Sequence, residues 1–294
     1  MDPKFQAVSK ITVPFLLDRK LRGERIVCLT AYDYPTARLV DEAGVDLLLV
    51  GDSLAQVVLG YDSTVPVTLD EMLHHLRAVR RAVRRALLVI DLPYGTYHAS
   101  EAEALSAGIR ALKDGAEAVK VEGGRKRAAL IRRMVEAEIP VMGHIGLTPQ
   151  SVHAQGGYRV QGKTFESAHE LIADAQAVED AGAFALVLEG IPRELAAIIT
   201  ARLRIPTIGI GAGPDCDGQI LVTLDLLGLA YQEPAKFVRT YVHAGEVMAQ
   251  ALSQYRDDVL AGRYPSDAES YHWPAGLREQ FERWTAPPQL KDKG

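Results

Sequence analysis

Short apolar runs that end in acidic residues recur along the chain. Val45–Val50 leads into Asp52, and the same pattern ends later runs at Asp91, Glu122 and Glu189. A parallel strand that is buried on both faces reads as a near-continuous apolar run. The pattern therefore predicts buried parallel strands, four of which carry a carboxylate at the carboxyl end.

Helical segments separate these runs. Residues 35–44 begin with Pro and end with Gly, and Thr68 with Glu71 predicts a capping box at the start of a helix over 69–85. The predicted strands cover residues 26–33, 45–50, 87–91, 118–122, 140–145, 184–189, 206–211 and about 219–224. Eight strand–helix units in about 210 residues match a (β/α)8 TIM barrel, whose active site lies at the carboxyl ends of the strands. A doubly wound sheet is the alternative.

A single domain over residues 1–294 is predicted, because no linker rich in Pro, Gly or Ser divides the chain. Its barrel core is expected over about 24–250, preceded by a short N-terminal helix over 13–22. After residue 257 prolines recur, so the C-terminal extension over 258–294 is predicted to be irregular.

Composition and charge favour a cytoplasmic protein without nucleic-acid or membrane partners. A formal net charge of -5 and a pI near 5.9 give no electrostatic basis for nucleic-acid or membrane partners. The basic run Arg77–Arg85 has helical spacing, which favours a solvated helix face over a binding patch. Cys28 and Cys216 form no CxxC pattern, residues 1–10 lack a signal-peptide pattern, and no apolar run approaches the roughly 18 residues of a membrane span.

The acids at the ends of three consecutive strands predict a metal site. Asp52, Asp91 and Glu122 would lie side by side at one rim of a barrel, where their charges repel unless they are neutralised. Mg2+ prefers oxygen ligands and usually takes only one or two carboxylates, which leaves positions for a substrate with adjacent oxygens. The alternative is that each acid caps a helix or pairs with an arginine.

Three more polar residues face the same rim. Lys120 lies two residues before Glu122, so both point to one side of their strand, where the lysine contacts either a substrate oxygen or one of the acids. Glu189 lies away from the metal group and is predicted to be a general base, with helix capping as the alternative. His144 ends the fifth strand and is either a supporting site residue or a buried core histidine.

A glycine-rich segment, residues 208–213 (IGIGAG), covers the end of the predicted seventh strand and the start of the loop after it. Barrels often bind phosphate there, but the segment matches neither GxGxxG nor the P-loop, and close helix–strand packing explains its glycines equally well.

Several long segments together resemble the ketopantoate hydroxymethyltransferase family. These segments are LTAYD (29–33), VGDS (50–53), VTLDEM (67–72), KVEGG (120–124), MGHIGLTPQ (142–150), GGYRVQGK (156–163), TIGIGAG (207–213) and CDGQ (216–219). They occur in the family's order over about residues 7–266.

The resemblance implies an activity for the predicted barrel. A hydroxymethyl group would pass from 5,10-methylenetetrahydrofolate to 3-methyl-2-oxobutanoate, through an enolate stabilised by Mg2+, to give 2-dehydropantoate. It also implies a homo-oligomer, often a decamer.

The resemblance assigns roles to particular residues. The metal would lie on Asp52, Asp91 and Glu122, and Glu189 would accept the proton. The oxo acid would be held by Asp52, Asp91, Lys120 and Ser53. His144 stands in a family motif, and we assign it a supporting role.

Two other functions remain open at this point. A Mg2+-dependent C–C lyase of a 2-oxo acid could use the same site, although such lyases usually rely on a cysteine in a mobile loop. A non-enzymatic assembly module is the other, and it predicts the loss of rim carboxylates, whereas all four are present.

Overall fold

Eight parallel strands close into a barrel in their sequence order. The structure is a computed structural model that describes residues 9–231 and 233–285. The strands are β1 (Ile26–Thr30), β2 (Leu47–Val50), β3 (Leu87–Asp91), β4 (Ala118–Glu122), β5 (Val141–Gly146), β6 (Ala185–Glu189), β7 (Thr207–Ile210) and β8 (Gly218–Leu221). The barrel closes where β8 pairs with β1, for example Cys28 with Ile220. The predicted (β/α)8 fold is confirmed.

Helices connect the strands and follow the last one. They are α1 (Val13–Leu21), α2 (Tyr34–Glu42), α3 (Leu54–Val57), α4 (Leu69–Ala82), α5 (Glu101–Lys113), α6 (Arg125–Glu136), α7 (Val152–Gln155), α8 (Phe165–Asp180), α9 (Arg193–Arg202), α10 (Thr223–Leu226), α11 (Ala244–Leu260) and α12 (Leu277–Thr285). The predicted capping box of Thr68 and Glu71 is present at the start of α4. Helix α8 begins at Phe165, because Thr164 and Ser167 cap each other across its first turn.

Alternate residues of each strand face two separate apolar cores. On β3, Leu87 and Val89 belong to the cluster inside the barrel, whereas Leu88 and Ile90 belong to the cluster between the strands and the helices. This follows from the two-residue period of a strand. The inner cluster also contains Leu16 of α1. Side chains therefore fill the barrel interior, and a polar residue at an inward position near a strand's carboxyl end lies at the top of this packing.

Charged residues at the amino end of the barrel form ion pairs with each other. Asp46 precedes β2 and pairs with Arg19 at 3.3 Å and Arg85 at 3.1 Å, and it accepts a hydrogen bond from the Val27 amide. Arg85 belongs to the basic run, and Arg77 of the same run pairs with Asp114. Arg77 lies half exposed on α4, as a solvated helix face predicts, whereas Arg85 lies beyond the end of that helix and pairs with Asp46.

Two compact units make up the chain. Residues 1–242 contain all eight strands, and residues 243–294 contain α11 and α12. The prediction of an irregular tail is wrong at α12, where Phe281 and Trp284 lie on one side of an amphipathic helix and Phe281 stacks on Trp273. The single domain over residues 1–294 stays a prediction.

Some predictions concern parts of the chain that are not described. The absence of a signal peptide was inferred from residues 1–10, of which 1–8 lie outside the described residues, as do 286–294 of the extension. Within 9–231 and 233–285, none of the helices is both long and apolar enough to cross a bilayer.

The glycine-rich segment after β7 packs closely against α9. A Cβ atom at Gly213 would lie 2.4 Å from the Cβ atom of Arg193. Close packing against α9 therefore accounts for Gly213. This was the alternative to a phosphate-binding loop.

Candidate active site at the carboxyl rim of the barrel

Five polar side chains occupy inward positions at the carboxyl ends of β3 to β6. They continue the inner rows of their strands, so that Asp91 follows Leu87 and Val89 and comes next in the same row. The strand register pairs Asp91 with Lys120, and places Glu122 beside His144. Residues at the ends of consecutive strands therefore lie next to each other around the carboxyl rim of the barrel. The five residues are Asp91, Lys120, Glu122, His144 and Glu189.

Asp52 and Ser53 join this group from the turn after β2. The main-chain amide of Asp52 donates to Asp91 Oδ2 at 3.0 Å, which fixes the turn against the neighbouring strand. A Cβ atom at Gly51 would lie 2.8 Å from Ser53 Oγ, so a side chain at this position would displace the Ser53 hydroxyl. The Ser53 hydroxyl is 2.8 Å from the hydroxyl of Tyr32, at the end of β1. Both predicted residues therefore lie at the site.

The rim carries a buried ion pair. Lys120 Nζ lies 2.8 Å from Asp91 Oδ1, and both residues are almost fully buried, at 6% and 2% exposure. Burial lowers the pKa of the Lys120 ammonium, but the charges of Asp91, Glu122 and Asp52 outweigh it and the net pKa is raised. The lysine is consequently a permanent cation among the acids. The sequence analysis allowed Lys120 to contact either a substrate oxygen or one of the acids. The structure shows the contact with an acid, Asp91, and the position of Lys120 at the rim leaves a contact with a substrate anion open.

His144 lies between two glutamates of neighbouring strands. Its Nδ1 atom is 3.4 Å from Glu122 Oε1, and its Nε2 atom is 3.2 Å from Glu189 Oε2. Burial and the charge of Lys120 lower the pKa of the imidazole, but the contacts with Glu122 and Glu189 outweigh them and raise it to about 9. Its Nδ1 atom also lies 3.3 Å from Lys120 Nζ, whose ammonium can only donate, so this nitrogen is shared between a cation and a carboxylate. The imidazole links the acid predicted to be the base with the acids of the metal group.

The three predicted metal-site acids are not equivalent. Burial raises the pKa of the Asp52 carboxyl well above its usual range, and the charges of Asp91 and Glu122 raise it further. Burial also acts to raise the pKa of Glu122, but the hydrogen bond and charge of His144 bring it below its ordinary value. The Asp52 carboxyl thus lies among other negative charges, and a bound cation would reduce their repulsion.

The donor set fits an open site for a hard divalent cation. Asp91 Oδ1 and Glu122 Oε1 are buried and have no hydrogen bond of good geometry from the described residues, although each has a cation nearby. The rim thus brings four carboxyl groups, those of Asp52, Asp91, Glu122 and Glu189, around the Lys120 ammonium and the His144 ring. Among the described residues, no three acidic, histidine or cysteine side chains converge as a metal cage. One or two carboxylates with free positions suit Mg2+.

Two buried residues of the site were missed by the sequence analysis. Gln150, in the loop after β5, donates from Nε2 to Asp52 Oδ2 at 2.8 Å. Tyr97, in the loop after β3, donates from its hydroxyl to Gln150 Oε1 at 2.6 Å. Gln150 ends the MGHIGLTPQ segment, which was the only available signal, and nothing in the sequence marks Tyr97.

Comparisons with known sequences agree with the geometry. The model of the family described as ketopantoate hydroxymethyltransferase matches residues 10–267. A 3-methyl-2-oxobutanoate hydroxymethyltransferase of Koribacter versatilis is 62% identical over 275 residues, which cover 93% of each chain. The enzyme of that name from Trichlorobacter lovleyi is 53% identical over 264 residues, which cover 90% of this chain and 99% of the relative.

Solved structures show a similar fold at low identity. A phosphonopyruvate hydrolase in complex with oxalate and Mg2+ aligns with a TM-score of 0.58 at 14% identity, and covers 92% of this chain and 95% of its own. A 2,3-dimethylmalate lyase of the PEP mutase/isocitrate lyase superfamily aligns with a TM-score of 0.57 at 18% identity, and covers 92% and 96%. The barrel therefore shares its fold with these two structures.

Proposed function

The chain belongs to the ketopantoate hydroxymethyltransferase family, and we propose that it has the activity of this family. It transfers a hydroxymethyl group from 5,10-methylenetetrahydrofolate to 3-methyl-2-oxobutanoate. The products are 2-dehydropantoate and tetrahydrofolate. The observation that carries the proposal is the buried rim cluster, in which Asp52, Asp91 and Glu122 surround Lys120 with Glu189 nearby. Such a cluster suits a substrate that carries adjacent oxygens.

The chain's own residues account for binding of the oxo acid. Lys120 is a buried cation that offers its charge to the substrate carboxylate, and Ser53 offers a hydroxyl whose position is fixed by Tyr32. Asp52 and Asp91 would hold Mg2+, with Glu122 as the third acid of the metal group. When bound, Mg2+ would polarise the 2-oxo group and so make the proton on C3 more acidic. The complex of the phosphonopyruvate hydrolase with oxalate and Mg2+ supports this use of the fold.

Glu189 is proposed as the base that removes the C3 proton. It is the most exposed acid of the cluster, with 17% of its side chain accessible, so a substrate in the barrel mouth can reach it. His144 Nε2 lies 3.2 Å from Glu189 Oε2, and the neighbouring imidazole limits the positions that the carboxylate can take. Removal of the proton leaves a nucleophilic C3. Water hydrolyses the methylene bridge of the folate to formaldehyde and tetrahydrofolate, and C3 attacks the formaldehyde carbon, whose oxygen takes up a proton and becomes the hydroxyl group of the product.

The alternative C–C lyase lacks its usual nucleophile. Cys28 and Cys216 are both buried, and burial raises the pKa of both thiols, so that neither is available as a reactive thiolate. A lyase would also consume a 2-oxo acid adduct without folate. The family relatives and the cysteine environments both favour the transferase.

One assay tests the proposed reaction. Purified protein, treated with a chelator and then supplied with Mg2+, Mn2+, Co2+ or no metal, is incubated with 3-methyl-2-oxobutanoate and 5,10-methylenetetrahydrofolate. We expect 2-dehydropantoate, measured by mass spectrometry, only when both metal and folate are present. Product formation that is independent of the folate, or cleavage of 2-dehydropantoate to products other than these substrates, would favour the lyase.

Assembly and location complete the proposal. We propose that the protein is a cytoplasmic homo-oligomer, a decamer by analogy with the family, and that it has no nucleic-acid or membrane partner.

A further inference from the structure

Gln150 makes four hydrogen bonds at the rim, and none of them is assigned to a function above. Its side-chain Nε2 donates to Asp52 Oδ2 at 2.8 Å and to the Leu92 carbonyl at 3.0 Å, and its main-chain amide donates to Glu122 Oε2 at 3.0 Å. Its Oε1 atom accepts from the Tyr97 hydroxyl at 2.6 Å. The residue is 3% exposed. One residue thus binds two acids that come from different strands.

The direction of the Gln150 amide is fixed by its partners. Asp52 Oδ2 and the Leu92 carbonyl oxygen can only accept, so the NH2 group has to face them and both of its hydrogens are used. The Tyr97 hydroxyl accepts from the main-chain amide of Glu122 at 3.2 Å, which directs its own proton to Gln150 Oε1. The network is closed, because every buried donor in it has an acceptor.

We propose that Gln150, oriented by Tyr97, is a positioning residue that fixes one oxygen of Asp52 and one of Glu122, so that the other oxygens of these carboxylates are presented to a divalent cation. The inference rests on the proposed function, because it assumes that these acids belong to a metal site. An amide suits the task better than a charged donor. It fixes a carboxylate oxygen without neutralising it, whereas a lysine at this point would supply the charge that the cation is to bring.

The Gln150→Leu variant tests the inference through metal binding alone. It keeps the volume and the main-chain contact to Glu122 but removes both donors of the side chain. Titration of the substrate-free protein with Mn2+, followed by electron paramagnetic resonance, is expected to show an affinity lower by about 10- to 100-fold, the usual effect of losing a partner of a metal ligand. In turnover, the KM for Mg2+ should rise by a similar factor, while kcat at saturating Mg2+ recovers most of its original value.

Gln155→Leu is the matched control in the same loop. Gln155 donates to Thr148 Oγ1 at 3.0 Å and to the Gly146 carbonyl at 3.3 Å, and it contacts none of the rim acids. Its replacement should leave the Mn2+ affinity unchanged. If Gln155→Leu loses as much affinity as Gln150→Leu, the effect is loop destabilisation and the inference is overturned.

Tyr97→Phe provides a second, independent variant. Because Tyr97 acts through Gln150, the Tyr97→Phe change should weaken Mn2+ binding in the parent protein but add less than about 2-fold in the Gln150→Leu background. Losses that multiply would contradict this dependence. A parent protein that binds no Mn2+ would overturn the proposed metal site itself, whereas normal binding by both parent and Gln150→Leu would overturn only the positioning role.

Discussion

Replacement of Asp91 by asparagine is expected to lower hydroxymethyl transfer by more than about 100-fold. Loss of a partner of a metal ligand costs about 10- to 100-fold, so loss of a proposed ligand should exceed that range. Asp91 also pairs with Lys120 and accepts from the Asp52 amide, so the change alters three features of the rim at once. The rate of 2-dehydropantoate formation at saturating substrates and Mg2+ measures the effect.

The Asp91→Asn result needs a control for stability. Removal of one member of a buried ion pair costs about 3–5 kcal/mol, because the remaining charge loses its partner. Asp46→Asn is a matched change, since Asp46 is equally buried and paired with Arg19 and Arg85 but lies before β2 at the amino end. It should lower the free energy of unfolding, measured in urea, and leave kcat near its original value. Near-normal turnover by a folded Asp91→Asn protein would remove Asp91 from the site.

Replacement of Glu189 by glutamine is expected to stop removal of the C3 proton. Loss of a positioned base costs about 10²- to 10⁴-fold. Glutamine keeps the shape of Glu189 and an oxygen for His144 Nε2, so binding of metal and oxo acid should be retained. Exchange of the C3 hydrogen of 3-methyl-2-oxobutanoate in deuterated water, followed by proton nuclear magnetic resonance without folate, isolates this step.

Glu194→Gln is the comparison for the exchange experiment. Glu194 is an exposed acid at the start of α9, a few residues beyond Glu189. Its replacement should leave the exchange rate unchanged. Exchange at the parental rate in Glu189→Gln would show that another group is the base.

The strand-end acids could be predicted because two simple periods determine their positions. Leu87, Val89 and Asp91 share one face of a strand, and β3 and β4 are neighbours in sequence and in space, which brings Asp91 next to Lys120. Closure of eight parallel strands into a barrel is then enough to bring these residues together at one rim. The family resemblance supplied the substrate, which periodicity cannot reveal.

The residues that form hydrogen bonds with the rim acids could not be predicted from the sequence patterns. Gln150 and Tyr97 lie in loops, where no period relates sequence position to direction, and their role depends on the closed barrel that brings two loops together. The same limit applies to the contacts of His144 with glutamates on both sides. Helix α12 was missed because the surrounding prolines outweighed its short amphipathic pattern.

The most direct test of the proposed site is the location of the metal. Crystals of the protein grown with Mn2+ and 3-methyl-2-oxobutanoate would give an anomalous scattering peak for the metal. We expect the peak within about 2.0–2.3 Å of carboxylate oxygens of Asp52 and Asp91, with the oxo acid next to Ser53 and Lys120. A Mn2+ peak elsewhere in the barrel, or an oxo acid bound at the rim without metal, would contradict the site proposed for this chain.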